Sequence, residues 1–244
     1  MNRADGRAPD ELRTLQIIPN TMPFAEGSAA IRLGDTHVLC SATIDERVPA
    51  WMRGQGRGWV TAEYGMLPRA TKERTARESV GGKQGGRTVE IQRLIGRSLR
   101  AGVDLKVLGE RQVIIDCDVV RADGGTRCAA ITGGYVALAL AIQTLRQKGR
   151  IGRDPLLSAV AGVSVGIVRG TAVLDLNYVE DSGASVDSNI IGNADGEFIE
   201  IQATAEGRPF LRKSVNELID LANLGLDQLF TAQRDAIRAG QSGS

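Results

Sequence analysis

The sequence has 244 residues, of which 42% are apolar and 24% are charged, and its formal net charge is +1 at pH 7. These values are typical of a globular protein with a sizeable core, and the apolar runs are much shorter than the roughly 18 residues that a membrane span requires. The first 20 residues lack the apolar segment of a signal peptide, so we expect a cytoplasmic protein that is not bound to a membrane.

The first part of the chain predicts short strands followed by a long loop. Residues 15–19, 28–33 and 36–44 read as strands, and a Gly-Asp dipeptide between the last two is typical of a hairpin turn. Residues 49–86 are rich in glycine and arginine. A segment of this length without a periodic pattern predicts an irregular, functional loop.

Two helices are predicted in the middle of the chain, with a strand at residues 113–120 between them. The first helix has Thr88 as its N-cap and ends at Gly102. Its apolar stripe consists of Ile91, Leu94, Ile95 and Leu99, and its basic face of Arg93, Arg97 and Arg100. The second helix follows the turn at 122–126, and its apolar stripe consists of Ile131, Tyr135, Leu138, Ile142 and Leu145.

The second half of the chain predicts further strands and a last helix. Residues 159–168, 172–179 and 197–205 read as strands, and Ser214 with Glu217 forms a capping box at the start of the helix. Two sheet-plus-helix halves predict an α+β fold. We expect one domain over residues 1–244, with packed subdomains at about 13–150 and 155–240.

The chain offers little material for a metal or disulfide framework. Cys40, Cys117 and Cys128 lie far apart and form no CxxC pair, so we interpret them as buried apolar groups. His37 is the single histidine, and a Ser-His-Asp or Cys-His-Asn enzyme would depend on it alone. We interpret His37 as structural.

Charges are strongly segregated along the chain. Residues 69–100 hold nine Lys or Arg and three Asp or Glu, whereas residues 175–200 hold seven acids and no base. The first segment suits a polyanion and the second a cation. Arg69, Arg74 and Arg77 lie in the predicted loop, beside the basic face of the first helix, and this placement favours contacts to an RNA backbone over a merely solvated charge run.

A turn with the sequence DGGTR leads from a strand into the second helix. The backbone N–H groups of Gly125, Thr126 and Arg127 are expected to point outward at the positive helix end, where an anion binds readily. The guanidinium of Arg127 can bind two phosphate oxygens at once. An ordinary capped turn remains the alternative. Arg87 similarly precedes Thr88, but Lys83 is followed by glutamine, so the glycine-rich stretch is not a nucleotide-hydrolase P-loop.

A small-residue turn separates Asp181 from Asp187 and can bring the two carboxylates together. Two close carboxylates either share a proton, which raises one pKa, or hold a hard cation such as Mg²⁺. A solvated hairpin explains the same residues equally well.

Four segments, at 58–71, 86–101, 116–133 and 176–191, together resemble the ribonuclease PH family in sequence, order and spacing. The likeness runs from about residue 13 to residue 238, and is more distant to polynucleotide phosphorylase repeats and exosome ring subunits. It implies a fold like ribosomal protein S5 domain 2, a homohexamer built as a trimer of dimers, and phosphorolysis of RNA 3′ ends, chiefly those of transfer RNA.

The resemblance also implies residue roles. Arg87, Gly125, Thr126 and Arg127 match the residues that bind the attacking inorganic phosphate. The active-site aspartates correspond to Asp181 and Asp187, and the basic loop to Arg69, Arg74 and Arg77. Arg93, on the predicted basic face, is a further candidate for RNA contact.

The mechanism expected from these residues brings two anions together. The arginines and turn amides would hold phosphate, and Mg²⁺ on Asp181 and Asp187 would neutralise the charge of the transition state. Alternatively, one aspartate, with Asp187 weakly favoured, protonates the leaving oxygen, which requires a strongly raised pKa. A non-catalytic RNA-binding ring subunit and a hydrolytic two-metal nuclease are the competing hypotheses.

Overall fold

A computed structural model describes residue 3 and residues 5–242 of the protein. The strands are β1 Leu15–Pro19, β2 Gly27–Leu33, β3 Thr36–Asp45, β4 Trp59–Met66, β5 Gln112–Arg121, β6 Val160–Val168, β7 Thr171–Leu174, β8 Val186–Asn193 and β9 Phe198–Ala205. The α-helices are α1 Gly86–Ala101, α2 Leu105–Leu108, α3 Thr126–Gln147, α4 Tyr178–Asp181 and α5 Arg212–Ser242.

The strands form two sheets. The first sheet has five strands in the order β1-β2-β3-β5-β4, with β4 parallel to β5 and the other neighbours antiparallel. The second sheet has four antiparallel strands in the order β7-β6-β8-β9. The predicted α+β fold class is therefore confirmed.

Helix α3 is the central element of the core. It packs on β2 and β3 of the first sheet and on β6 of the second. Its length and apolar composition would suffice to cross a membrane, but 89% of its most apolar window is buried inside the protein. Gln233 of α5 reinforces this packing, because its buried side-chain amide donates to the carbonyls of Thr132 in α3 and Val160 in β6, both at 2.9 Å.

Several predicted elements are confirmed. The hairpin joins β2 to β3, and the predicted strands at 15–19, 113–120 and 197–205 are β1, β5 and β9. The apolar stripes of α1 and α3 are buried. The three cysteines are buried, as predicted.

The prediction of an irregular segment over residues 49–86 was wrong in its middle. Strand β4 lies there, with Val60, Ala62 and Tyr64 buried at alternate positions. This alternation is the ordinary signal of a half-buried strand. The glycines and arginines on either side obscured it.

Helix starts and the strands of the second sheet also differ from the prediction. Helix α1 begins at Gly86, and Thr88 lies in its first turn, where its hydroxyl donates to Glu78 at 2.7 Å. Helix α5 begins at Arg212, before the predicted capping box. The strand predicted over 172–179 ends at Leu174 because Asp175 has a φ of 54°. Strand β8 was not predicted at all.

Candidate active site

The turn before α3, residues 122–126, is called the anion-binding turn below. Its two glycines lead directly into the helix N-terminus. Gly124 and Gly125 have φ values of 76° and 65°, and a Cβ on Gly124 would lie 2.5 Å from the carbonyl oxygen of Leu176. Glycine is the residue that fits this left-handed, closely packed backbone. No side chain caps α3 within the described residues, so the N–H groups of its first turn are available to an anion.

Thr126 and Arg127 differ in what they offer to a ligand. The hydroxyl of Thr126 is buried and hydrogen-bonded to the hydroxyl of Tyr64 at 2.9 Å, so Thr126 offers its backbone amide. The side chain of Arg127 is 15% exposed. Its Nη1 donates to Gln202 Oε1 at 3.3 Å and lies 3.6 Å from Glu90 Oε1, so the guanidinium is held between α1 and β9.

Arg87 lies in the first turn of α1, the second helix start at the site. Gly85 precedes this helix and, in the part of the chain that the structure describes, no side chain caps it. Arg87 is exposed, and its guanidinium forms no ion pair or hydrogen bond with the described residues. It is therefore available to a ligand. Burial raises the pKa of Tyr64, and the charges of Arg87 and Arg127 oppose this rise. Both cations therefore act on the same small volume, which surrounds the Tyr64 hydroxyl.

Asp181 and Asp187 face this volume from the second half of the chain. Asp181 is the last residue of α4, a single turn that is fixed by a capping box between Asn177 and Glu180. Asp187 lies in β8, between Gly166 of β6 and Thr204 of β9. The left-handed backbone at Asp175 ends β7, and α4 and β8 follow it along the chain. Asp181 therefore lies on a helical turn and Asp187 on a strand.

The pKa values of the two carboxyl groups are raised. Burial raises the pKa of Asp181, while Arg87, Arg127 and Arg13 oppose the rise. Burial also raises the pKa of Asp187, and the neighbouring charge of Asp181 raises it further, against Arg127 and Arg87. The structure therefore brings Arg87, Arg127, Asp181 and Asp187 into one site. The two carboxylates repel each other and can bind a cation, whereas the two arginines can bind an anion. The site therefore suits a cation and an anion bound side by side.

A magnesium ion fits this donor set. In the described ranges, no group of three or more His, Cys, Asp or Glu side chains is placed to hold a metal. Mg²⁺, however, is commonly held by one or two carboxylates together with water and substrate phosphates. Asp181 and Asp187 provide that minimum.

The candidate RNA-contacting arginines lie on two elements, the loop before α1 and α1 itself. Arg69, Arg74 and Arg77 are exposed, and the base of their loop is tied to the anion-binding turn because Ala122 N donates to Ala70 O at 2.8 Å. Arg93 is exposed on α1, about 9 Å along the axis and about 240° around it from Arg87. The loop is thus tied to the turn of the site, whereas Arg93 lies on a different side of α1 from Arg87.

Sequence reasoning missed several residues of the site. Tyr64, Glu90 and Gln202 position Thr126 or Arg127, and Arg13 acts on Asp181. Tyr64 could have been found, because it alternates with Val60 and Ala62 in β4. Gln202 and Arg13 carry no local signal, since each reaches the site only through tertiary packing.

Arginines at two helix starts, a carboxylate pair and a basic loop are groups that suit an enzyme acting on the phosphates of a nucleic acid. The chain matches the model of the 3′ exoribonuclease family, domain 1, over residues 11–142 and that of domain 2 over residues 158–223. It is 58% identical to ribonuclease PH of Roseobacter denitrificans and 55% identical to ribonuclease PH of Cereibacter sphaeroides, in each case over 96% of this chain and 99% of the relative. The chain therefore belongs to the 3′ exoribonuclease family, and within it to the ribonuclease PH proteins, which are phosphorolytic 3′-to-5′ exoribonucleases.

Solved structures support the fold. Rice Rrp46 superposes with a TM-score of 0.75 at 21% identity, covering 97% of this chain and 98% of its own. A subunit of the Archaeoglobus fulgidus exosome, solved with RNA bound to the active site, gives a TM-score of 0.74 at 24% identity, covering 100% of this chain and 93% of its own. These neighbours confirm the expected S5 domain 2-like architecture.

Proposed function

We propose that the protein shortens the 3′ ends of transfer RNA precursors by phosphorolysis, with Arg87 and Arg127 binding the attacking phosphate and Asp181 and Asp187 acting on the leaving group. The single observation that carries this proposal is that Arg87 and Arg127, each in the first turn of a helix that no described side chain caps, act electrostatically on the carboxyl groups of both Asp181 and Asp187. A site of this composition can hold two anions at bonding distance.

The phosphate is bound in the proposed mechanism by charge and by backbone dipoles. Arg127 supplies a fixed guanidinium, and Arg87 supplies an exposed one. The N–H groups of Gly125, Thr126 and Arg127 add the positive end of α3. One oxygen of the phosphate then attacks the phosphorus of the 3′-terminal nucleotide, and the bond from this phosphorus to the preceding 3′ oxygen breaks. The products are a nucleoside 5′-diphosphate and an RNA shortened by one residue.

The leaving 3′ oxygen needs a positive partner or a proton. Asp181 and Asp187 would hold Mg²⁺, which when bound supplies positive charge to the developing oxyanion. In the alternative without a bound cation, Asp187 is the better candidate for a proton donor, because both burial and the charge of Asp181 raise its pKa. An ionised Asp181 with a protonated Asp187 would leave the pair with a single negative charge, which favours the approach of two anions.

RNA binding is assigned to the arginines that flank the site. Arg69, Arg74 and Arg77 extend from the loop next to the anion-binding turn, and Arg93 extends the positive surface along α1. Aromatic residues make up 4% of the chain, so recognition is expected to depend on the backbone phosphates more than on base stacking.

The assembly, domain structure and location belong to the same proposal. We expect a homohexamer arranged as a trimer of dimers, which a sizing measurement coupled to light scattering would test.

Residues 1–244 are expected to form one domain with subdomains at about 13–150 and 155–240, because α3 packs on both sheets. The buried free thiols favour a reducing, cytoplasmic location.

A product analysis tests the reaction. The protein is incubated with 3′-extended transfer RNA and Mg²⁺, with and without inorganic phosphate, and the released mononucleotides are identified. We expect nucleoside diphosphates, formed only when phosphate is present. Monophosphates released without phosphate would indicate a hydrolytic nuclease, and bound RNA without product a non-catalytic subunit; either result would overturn the proposal.

The variant Arg127→Ala tests the phosphate site in the same assay. Turnover is expected to be abolished or to require much more phosphate. Arg146→Ala is the control, because Arg146 is exposed and paired with Asp154 at 2.7 Å near the other end of α3. Wild-type phosphate kinetics in Arg127→Ala would contradict the assignment.

A further inference from the structure

The chain segment before β1 connects the two sheets beside the site. The carbonyl of Pro9 accepts a hydrogen bond from Leu174 N of β7 at 2.7 Å, and the carbonyl of Thr14 accepts one from Gly34 N at 2.8 Å. Leu12 packs into the core of the second sheet. The segment is therefore fixed to both halves of the molecule.

Arg3 forms a buried ion pair with the helical turn that carries Asp181. Its Nε and Nη2 donate to the two carboxylate oxygens of Glu180 at 2.8 and 2.7 Å, and the side chains are 0% and 3% exposed. Glu180 immediately precedes Asp181 and also accepts from Asn177 N, which closes the capping box of α4. A paired, planar contact of this kind fixes orientation as well as position.

Arg13 joins the carboxylate side of the site to the phosphate side. Its Nε and Nη2 donate to the two oxygens of Asp175 at 2.9 and 2.7 Å. The same guanidinium donates to the backbone carbonyls of Asp123 and Gly124, in the turn that starts α3. One buried side chain thus contacts both the residue before the Asp181 turn and the predicted phosphate-binding turn.

The backbone at Asp175 requires this support. Asp175 is fully buried and has a φ of 54°, a conformation that residues other than glycine rarely adopt. Its carbonyl accepts from Arg3 at 2.9 Å and from Arg7 at 3.0 Å. Such conformations persist where the surrounding contacts over-determine them, and they occur preferentially at functional sites.

We propose that Arg3 and Arg13 are positioning residues of the active site, which fix the Asp181 turn and the 123–125 turn relative to each other. Both guanidiniums are occupied by protein oxygens, so they act through Asp175, Glu180 and the turn carbonyls and do not contact the substrate. The inference rests on the proposed function, since it assigns a catalytic purpose to contacts that otherwise only stabilise the fold.

The two arginines are expected to affect different kinetic constants. Arg3 contacts Glu180, Asp175 and the segment before β1, but among the described residues it has no hydrogen bond to the 123–125 turn. Arg3→Gln should therefore lower kcat by about 10- to 100-fold and raise the Mg²⁺ concentration for half-maximal activity, with the KM for phosphate unchanged. Arg13→Lys should raise the KM for phosphate, because one ammonium cannot keep the paired contact to Asp175 and the contacts to the turn together. Arg3→Lys should recover part of the kcat.

The kinetics are measured well below the Tm of each variant, with the Tm recorded for each and with Arg146→Ala as the surface control. Variants that melt earlier but keep wild-type kcat, phosphate KM and Mg²⁺ dependence would overturn the inference. If Arg3→Gln does not fold, the kcat, phosphate KM and Mg²⁺ dependence of Arg3→Lys are compared with those of the wild type instead, and wild-type values would overturn the inference. A wild-type protein without phosphate-dependent turnover would refute the proposed function as well, whereas a phosphate-dependent wild type with kinetically unaltered variants would refute this inference alone.

Discussion

The charge of Asp187 is costly to the folded protein. Burial and the nearby Asp181 raise the pKa of Asp187 above its usual value of 3.8. A folded state with a raised carboxyl pKa binds more protons than the unfolded chain, so this group makes stability fall as pH rises from the ordinary pKa to the folded one. At pH 7 the ionised carboxylate therefore destabilises the native state.

Asp187→Asn is accordingly expected to stabilise the metal-free protein at pH 7 while abolishing turnover. Urea unfolding in a chelator should show a higher free energy of unfolding than wild type, and the difference should shrink as the pH approaches 3.8. Asp195→Asn, at the exposed β8–β9 turn, is the control. A destabilised but active Asp187→Asn protein would contradict both the raised pKa and the catalytic role.

In the proposed site, Glu90 is expected to compete with phosphate for Arg127. Its carboxylate lies 3.6 Å from Arg127 Nη1 and repels an incoming anion. Glu90→Gln should therefore lower the KM for phosphate by about 1.4- to fivefold, the range that corresponds to about 0.2–1 kcal/mol for a solvent-accessible ion pair. Glu46→Gln is the matched control, because Glu46 pairs with Arg111 and is 49% exposed, against 48% for Glu90. An unchanged KM would show that Glu90 does not face the bound phosphate.

At the scale of elements, the turn before α3 depends on the absence of a side chain at Gly124. Both Gly124 and Gly170 have left-handed φ values, 76° and 78°, but only Gly124 packs against other backbone; a Cβ on Gly170 would meet nothing within 4 Å. Gly170→Ala therefore introduces backbone strain alone, whereas Gly124→Ala introduces similar strain together with a steric clash.

Gly170→Ala is expected to lose about 1 kcal/mol of unfolding free energy, from strain alone. Gly124→Ala should lose clearly more, and should also lose phosphate-dependent turnover, because the turn must move away from Leu176. Urea unfolding and phosphate kinetics measure the two effects. Equal losses in the two variants, with normal kinetics, would show that the turn tolerates displacement.

Periodic elements were predictable from the sequence, and the elements that shape the site were less so. Helix α3 was found because its apolar stripe repeats with the helical period, and β2–β3 because a turn dipeptide separates two alternating runs. Strand β7 was predicted too long because nothing local reveals that Asp175 bends the backbone. The aspartate pair was identified from its spacing and the resemblance, whereas Arg13 meets Asp175 across 162 residues, a contact that only the folded chain creates.

At the scale of the whole molecule, folding turns the charge segregation of the sequence into two adjoining surfaces. The basic loop and the arginines of α1 come from the first half of the chain, and the carboxylates from the second. Because the loop arginines remain exposed and the loop is tied to the anion-binding turn at Ala70, we expect a polyanion bound by the loop to lie close to the site.

This arrangement predicts how RNA binding responds to salt. Arg74→Ala should weaken RNA binding similarly for different sequences, and should reduce the slope of log affinity against log salt by about one, because one phosphate contact is lost. The phosphate KM should stay at its wild-type value, since Arg74 is assigned to the RNA and not to the attacking phosphate. Arg153→Ala, at a residue that is also exposed but lies between α3 and β6, should leave both quantities unchanged. A wild-type salt slope in Arg74→Ala would show that the loop does not contact the RNA backbone.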